Sequence, residues 1–269
     1  MSSLPIKSFF VVLTLVLVAI SLDDLAPEIN RIQLNLVNQA TSQGQLRIAL
    51  VSDLHIANNQ DSLSKIAFLW KELVAEAPDI IMLAGDYVSH VEAGNDLALH
   101  RGAIASVLGR TGGIPVLAVL GNHEQWSDSS LWAQAFGEVG IVVLENQVKV
   151  MAGLNLCVRG FGDAFTGKFS YLDFPEICDG RVKVSLTHDP AGAFDPRVSG
   201  LVLAGHTHCG QIRLPLLGPL YVPSDAPKSA HCGLYVDGQR QVFVSSGVGT
   251  SLLPIRFLAK AQWDLITLR

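Results

Sequence analysis

Basic residues are scarce. Nineteen lysines and arginines stand against 24 aspartates and glutamates in 269 residues, a formal charge of −5. No field of the protein as a whole therefore draws in nucleic acid, and no basic, aromatic-interleaved patch interrupts that balance, so no nucleic-acid partner is expected. Charged residues of either sign make up only 16% of the chain against 49% hydrophobic ones, which excludes a charge-swollen disordered polymer and supplies ample core. Cysteine is sparse: Cys157, Cys178, Cys209 and Cys232 form no CxxC pair. That excludes a zinc knuckle and a dense disulfide framework; the four are expected to be ordinary thiols, and their count leaves the redox compartment open. Internal repeats, low-complexity tracts and linkers are also missing, so the length allows one large α/β domain or two small ones.

Long apolar runs are nearly absent too, with one exception at the N-terminus. Lys7 precedes an apolar or hydroxyl run over 8–21, and Asp23 and Asp24 close it. The run is short beside the ~20 residues of a membrane span, and approaches that length when extended to Leu4 and Leu22. Residues 1–22 thus read as a signal anchor or a cleaved signal peptide, the anchor preferred. One lysine before the run and acids after it place the body of the protein outside the cytoplasm.

From residue 45 onward the pattern alternates. Apolar runs LRIALV (46–51), DIIMLA (79–84) and IPVLAVL (114–120) read as buried strands, separated by helical spacing over 62–76, 96–108 and 129–139. Ile66, Leu69, Leu73 and Ala77 carry the first of these helices, which Pro78 ends. Shorter strands follow at 141–144, 147–151, 154–160, 181–186, 201–204, 241–245 and 264–268. Strand–helix alternation predicts an α/β domain over 45–269.

The strand ends carry the chemistry. Asp53 and His55 follow the first run, Asp86 the second, and Asn122 and His123 the third; His188 follows 181–186, and His206 and His208 follow 201–204. Ligands gather at the carboxyl ends of strands in α/β sheets, so these eight residues can converge across the sequence. Singly, each has a bland reading as a helix cap, a turn residue or a satisfied core histidine. Together they form a set of carboxylate, imidazole and amide oxygen. That mixture suits two borderline divalent ions, Mn first among Mn, Fe, Zn and Co, better than Ca or Mg with their oxygen shells. Two such ions about 3.5–4 Å apart share a carboxylate, activate a bridging water as hydroxide and clamp phosphate oxygens during in-line attack.

In this order DLH, GD, GNHE, THD and GHTH resemble the calcineurin-like metallophosphoesterases, with their pattern D-x-H, G-D, G-N-H-[DE], H and G-H-x-H. The resemblance implies a four-layer α/β/β/α sandwich. It implies one ion on Asp53, His55 and His208, a second on Asn122, His188 and His206, and Asp86 bridging them. His123 would be the non-ligating histidine that stabilises the transition state or protonates the leaving oxygen. A non-catalytic scaffold borrowing the fold would show losses among these positions, and all are filled.

A narrower resemblance, carried by GHTHCGQIRLPLLGPLYVP, the late SSGVGTSLLPIR and the N-terminal segment, is to the membrane-associated bacterial branch that includes UDP-2,3-diacylglucosamine hydrolases of lipid A synthesis. It implies a phosphorylated lipid or small-molecule substrate at a membrane surface, the bacterial inner membrane. Two departures touch the substrate rather than the reaction: Cys209 stands where that branch has glycine, and AKAQWDLITLR lacks a cysteine–proline–glutamate run. A broad-specificity phosphodiesterase or phosphatase is the alternative. The lipid A precursor is handled at the cytoplasmic face, opposite to the side that Lys7 indicates, so the side of the membrane stays open. Two further stretches are candidates for an apolar rim: 214–227, where four prolines are expected to forbid regular structure, and the aromatic loop 161–174. Arg256 is expected in an ordinary surface salt bridge.

Overall fold

The computed structural model describes residues 27–36, 45–89 and 95–269, so the apolar run over 8–21 lies outside the described residues. Two six-stranded sheets pack face to face. The first has the order β1-β14-β2-β3-β4-β5, built from β1 (Glu28–Leu34), β2 (Leu46–Val51), β3 (Ile80–Ala84), β4 (Val116–Val119), β5 (Val142–Val143) and β14 (Gln262–Leu268). The second has the order β12-β13-β9-β8-β7-β6, from β6 (Gln147–Met151), β7 (Leu156–Gly160), β8 (Val182–Leu186), β9 (Gly200–Ala204), β12 (Gly233–Val236) and β13 (Arg240–Val244). β2 to β5 run parallel, as do β7, β8, β9 and β13. Their carboxyl ends form one end of the sandwich.

The continuous apolar runs are explained by burial on both faces. Ile48, Leu50, Ile80, Met82, Leu117 and Val119 point at the second sheet and meet Val158, Val184, Leu186 and Leu203. Their alternates Ala49, Val51, Ile81, Leu83 and Ala118 point at helices α1 (Gln60–Ala75), α2 (Asn95–Leu108) and α4 (Ser129–Glu138). Helix α1 starts where the Asn59 side chain accepts from Ser62 N, and buries Ile66, Leu69, Trp70 and Leu73. Ala77 lies beyond its end, with a left-handed φ of 48°. Truncating a fully buried residue of this core such as Leu50 to alanine costs about 2–5 kcal/mol.

Three expectations change. The outer face of the second sheet carries no α-helix among the described residues: Val202, Ala204, Val242 and Val244 are covered by the 3-10 turn Pro190–Phe194 and by Phe161 and Phe169. The architecture is α/β/β with a coil layer rather than four full layers, because the glycine- and proline-punctuated connections on that side cannot continue a helix. The cysteines are not thiols. Cys157 pairs with Cys178 and Cys209 with Cys232, across separations of 21 and 23 residues, which the fold closes to Cα distances of 5.8 and 4.7 Å. Finally, the proline-rich stretch forms a small ladder, β10 (Arg213–Leu214) on β11 (Gly218–Pro219). Strand β1 lies ahead of residue 45 and extends the first sheet parallel to β14.

Candidate metal centre

Each connection leaving a central strand drops a polar side chain into the space between the sheet ends. Five of these residues sit in left-handed backbone: Asp53 (φ 54°), His55 (44°), Asp86 (55°), His206 (69°) and His208 (48°). Such conformations cost on the order of 1–3 kcal/mol each and persist where surrounding structure over-determines them. Glycine fills the gaps between them. A Cβ on Gly85 would stand 2.6 Å from His188 Nδ1, and one on Gly121 would overlap Asp86 Oδ1.

All eight sequence-derived residues come together. Asp53, His55 and His208 form one cluster; Asp86, His188 and His206 form another; His55, Asp86 and His123 form a third, each with ligand-type atoms within 4.8 Å of one another. Asp86 therefore joins both sides, with Oδ2 3.4 Å from His188 Nε2, 3.7 Å from His55 Nε2 and 3.8 Å from His123 Nε2. Asn122 Oδ1 lies 3.2 Å from His188 Nε2.

Hydrogen bonds fix which ring nitrogens face inward. A carbonyl only accepts, so His188 Nδ1 donates to Ala84 O (2.6 Å) and His206 Nε2 donates to Pro223 O (2.5 Å). That turns His188 Nε2 and His206 Nδ1 toward each other at 3.1 Å, beside Asp86 and Asn122. Acceptors converging this closely call for positive charge among them. Burial, the largest single influence, pushes the His188 imidazole down, but the charge and hydrogen bond of Asp86, with the charges of Asp53 and Asp163, together hold that pKa well above the ordinary value. Burial pushes Asp86 up in turn, and His188, with His55 and His123, pulls it well below the ordinary carboxylate range. This half of the centre suits a divalent cation directly.

The other half is set differently. His55 and His208 are pushed down to about 3, burial being the main cause. Their Nε2 atoms are 3.0 Å apart, and His208 Nε2 is 3.5 Å from Asp53 Oδ1. Arg256 Nη2 lies 3.1 Å from His208 Nδ1 and can only donate, so Nδ1 accepts and the imidazole proton sits on Nε2. For His208 Nε2 to serve as a metal ligand, the ring proton would have to sit on Nδ1 instead; Arg256 would keep its carbonyl partners Ser246, Gly247 and Gly249. Arg256 is thus no surface ion-pair residue: it is 4% exposed and ties the 246–260 connection to the centre.

Glu124, the last letter of GNHE, was given no role by its sequence pattern. It is fully buried and accepts from the amides of Asp86 (2.9 Å), Tyr87 (2.8 Å) and Gly121 (2.9 Å), capping the short helix α3 (Asn122–Trp126). Its carboxyl is raised to about 7, by burial first and by Asp86 second. The readable signal was the capping pattern, with glutamate three residues into a helix. Of the aromatic loop 161–174, Phe165 reaches the centre: it lies 4.8 Å from the His206 ring and 6.3 Å from Trp126, itself 5.4 Å from His123. Phe161 and Phe169 pack together instead, and Phe174 covers Arg159.

A two-sheet α/β sandwich with histidines, carboxylates and an asparagine gathered at its strand ends defines a class of metal-dependent hydrolases. The chain belongs to the calcineurin-like phosphoesterase family, which residues 46–210 match. It is a metal-dependent hydrolase of phosphoric esters, and the family works with divalent metals. The chain is similar to the phosphodiesterase YaeI of Escherichia coli (strain K12), 29% identical over 228 residues that cover 82% of each chain. It is also similar to the metallophosphoesterase YkuE of Bacillus subtilis (strain 168), 26% identical with 83% and 79% covered. A Danio rerio transmembrane protein with a metallophosphoesterase domain is 26% identical over 90% of this chain and 57% of its own length. Among solved structures, a 5'-nucleotidase precursor from Thermus thermophilus aligns with a TM-score of 0.47 at 16% identity, over 83% of this chain and 55% of that one. No helix among the described residues is long and apolar enough to cross a membrane.

Proposed function

We propose that the chain is a dinuclear phosphodiesterase in which Asp53, His55 and His208 hold one ion, Asn122, His188 and His206 hold a second, and Asp86 bridges them. The observation that carries this is the double membership of Asp86, which lies within ligand range of both histidine sets. The ions, manganese first among the candidates, supply the Lewis acidity and the activated water that phosphoester hydrolysis needs.

The protein's own part is orientation and proton delivery. His123 N donates to Asp86 Oδ1 (3.0 Å), and Glu124 grips the amides on either side, so the bridging carboxylate is held from behind. The His123 ring, its side chain 13% exposed at the edge of the centre, is assigned the proton transfer to the leaving oxygen, a role that imidazole commonly fills. Trp126 and Phe165 border the same edge and offer apolar surface to the leaving group.

For the substrate we favour a phosphorylated lipid at a membrane, with residues 1–22 as anchor or signal peptide and the catalytic domain following. UDP-2,3-diacylglucosamine is one such lipid nucleotide. The two disulfides support the other side of the membrane from the one where that precursor is handled, since disulfides persist in oxidising compartments. They favour a phosphodiester-bearing lipid on the outer face; the phosphodiesterase name of the Escherichia coli relative agrees with that bond type. The test is hydrolysis by Mn-loaded protein of UDP-2,3-diacylglucosamine, a glycerophosphodiester lipid and a small chromogenic phosphodiester, with His123→Ala as blank. Faster turnover of the glycerophosphodiester lipid is expected. Turnover of the chromogenic ester alone would leave a broad-specificity phosphodiesterase, and loss of the lipid reading.

A further inference from the structure

Six large apolar side chains stand in solvent on two neighbouring connections: Leu216 (107% exposed), Leu217 (80%), Leu220 (63%) and Tyr221 (65%) on one, Leu252 (90%) and Leu253 (53%) on the other. Apolar surface concentrated this way marks an interaction site rather than scatter. The two connections are zipped together. Gln211 Nε2 donates to Ser251 O (3.0 Å) and Leu253 O (2.7 Å), Gln211 Oε1 accepts from Ser251 N (2.8 Å), and Ile212 bridges Phe257. Leu216 and Leu252 both adopt left-handed φ, 67° and 60°, at the outermost turns, so these leucines are held outward by backbone that is itself constrained.

Both connections are fastened to the metal centre. Gln211 follows His208 by three residues, and Gly249 N donates to Asp53 O (2.6 Å). The Cys209–Cys232 disulfide closes the first connection into a strap, and Pro223 O on that strap accepts the hydrogen bond from His206 Nε2.

Strand direction adds a second, separate observation. β2 runs toward the centre, β14 is antiparallel to β2, and β1 is parallel to β14, so β1 begins at the centre's end of the sandwich. Glu28 is fixed there by Ala261 O (3.0 Å) and Lys260 (2.9 Å), close behind the Leu252–Leu253 turn in sequence. The chain over 1–26, with its apolar run over 8–21, therefore joins the fold at the same end as the exposed leucines.

We propose that this end docks on a lipid bilayer, the Leu216–Leu217 and Leu252–Leu253 turns entering the interface and Tyr221 lying at headgroup level, so that the metal centre opens toward the membrane. Tyrosine is suited to that depth by its apolar ring and polar tip, and loop leucines to the shallow acyl region. This rests on the membrane association proposed above, but needs no particular substrate.

The test uses the full chain in phosphatidylcholine–phosphatidylglycerol vesicles with brominated acyl chains. Three reporters are compared with the native chain: Leu217→Trp, Leu252→Trp and Val236→Trp, the last an exposed position at the far end of β12, where that strand pairs with the start of β13. The added emission at 217 and 252 is expected to shift blue and be quenched several-fold more than that at 236. Quenching at neither loop, or at one only, would overturn the joint docking surface; so would quenching equal to that of Val236→Trp. Hydrolysis of a soluble chromogenic phosphodiester by the same variants, expected unchanged, reads the phosphoesterase separately. Quenching without hydrolysis in the native chain would sink the enzymatic reading and leave the docking surface standing.

Discussion

His123 lies beside both halves of the centre, its ring 4.7 Å from that of His55 and its Nε2 3.8 Å from Asp86 Oδ2. If it delivers a proton, His123→Ala lowers kcat by about 10²–10⁴ while bound metal stays unchanged. Parallel kinetics and elemental analysis check this, and loss of an ion would make it a ligand instead. Glu124 acts through others. Glu124→Gln replaces one acceptor oxygen by a donor facing buried amides, and is expected to destabilise the fold by about 1–3 kcal/mol in denaturant titration. At this scale the aspartates, histidines and asparagine were legible, because each ends an apolar run. Arg256 was not, since it reaches back 48 residues to His208, and of Glu124 only the local cap was, because its partners Asp86 and Tyr87 lie 38 and 37 residues away.

At the scale of elements, the parallel strands and three long helices follow their apolar periodicity to within a few residues. Strand β1 does not announce itself: EINRIQL is mostly polar, and it becomes a strand only beside β14, with Asn30 donating to Asp264 across 234 residues. The disulfides escaped for the same reason, since spacing alone cannot tell a thiol from a bridge. The Cys209–Cys232 strap has a chemical consequence. It encloses Pro223, whose carbonyl accepts from His206 Nε2 and so leaves Nδ1 available to the second ion proposed above. Because such supporting partners typically set 10–100-fold in metal affinity, the double variant Cys209→Ser/Cys232→Ser is expected to lose roughly 10-fold in affinity at the His188–His206 half. Competition with a chelator measures it; unchanged affinity would reduce the strap to a stability device.

For the whole molecule, two sheets buried against each other leave little room for charge, and Asp264 is an exception worth testing. Burial raises its carboxyl pKa despite hydrogen bonds from Ser245, Asn30 and Gln262. A raised value means that the folded chain holds this proton more tightly than the unfolded chain. Its contribution to stability is therefore present below the ordinary carboxylate range and falls as pH rises through the raised value. Asp264→Asn, uncharged throughout, is expected to melt above the native chain at pH 7 and to lose that advantage toward pH 3. Thermal melts across that range decide it; a lower melting point at pH 7 would mean that the ionised form is the stabilising one.

The central claim is that one carboxylate joins two metal ions for phosphodiester hydrolysis. Elemental analysis of metal-loaded native protein and Asp86→Asn, with hydrolysis of a chromogenic phosphodiester by the same samples, tests it most directly. Two ions per chain and measurable turnover are expected for the native protein, against one ion or fewer and turnover lower by at least ~10² for the variant. An Asp86→Asn protein that keeps both ions and full activity would contradict it.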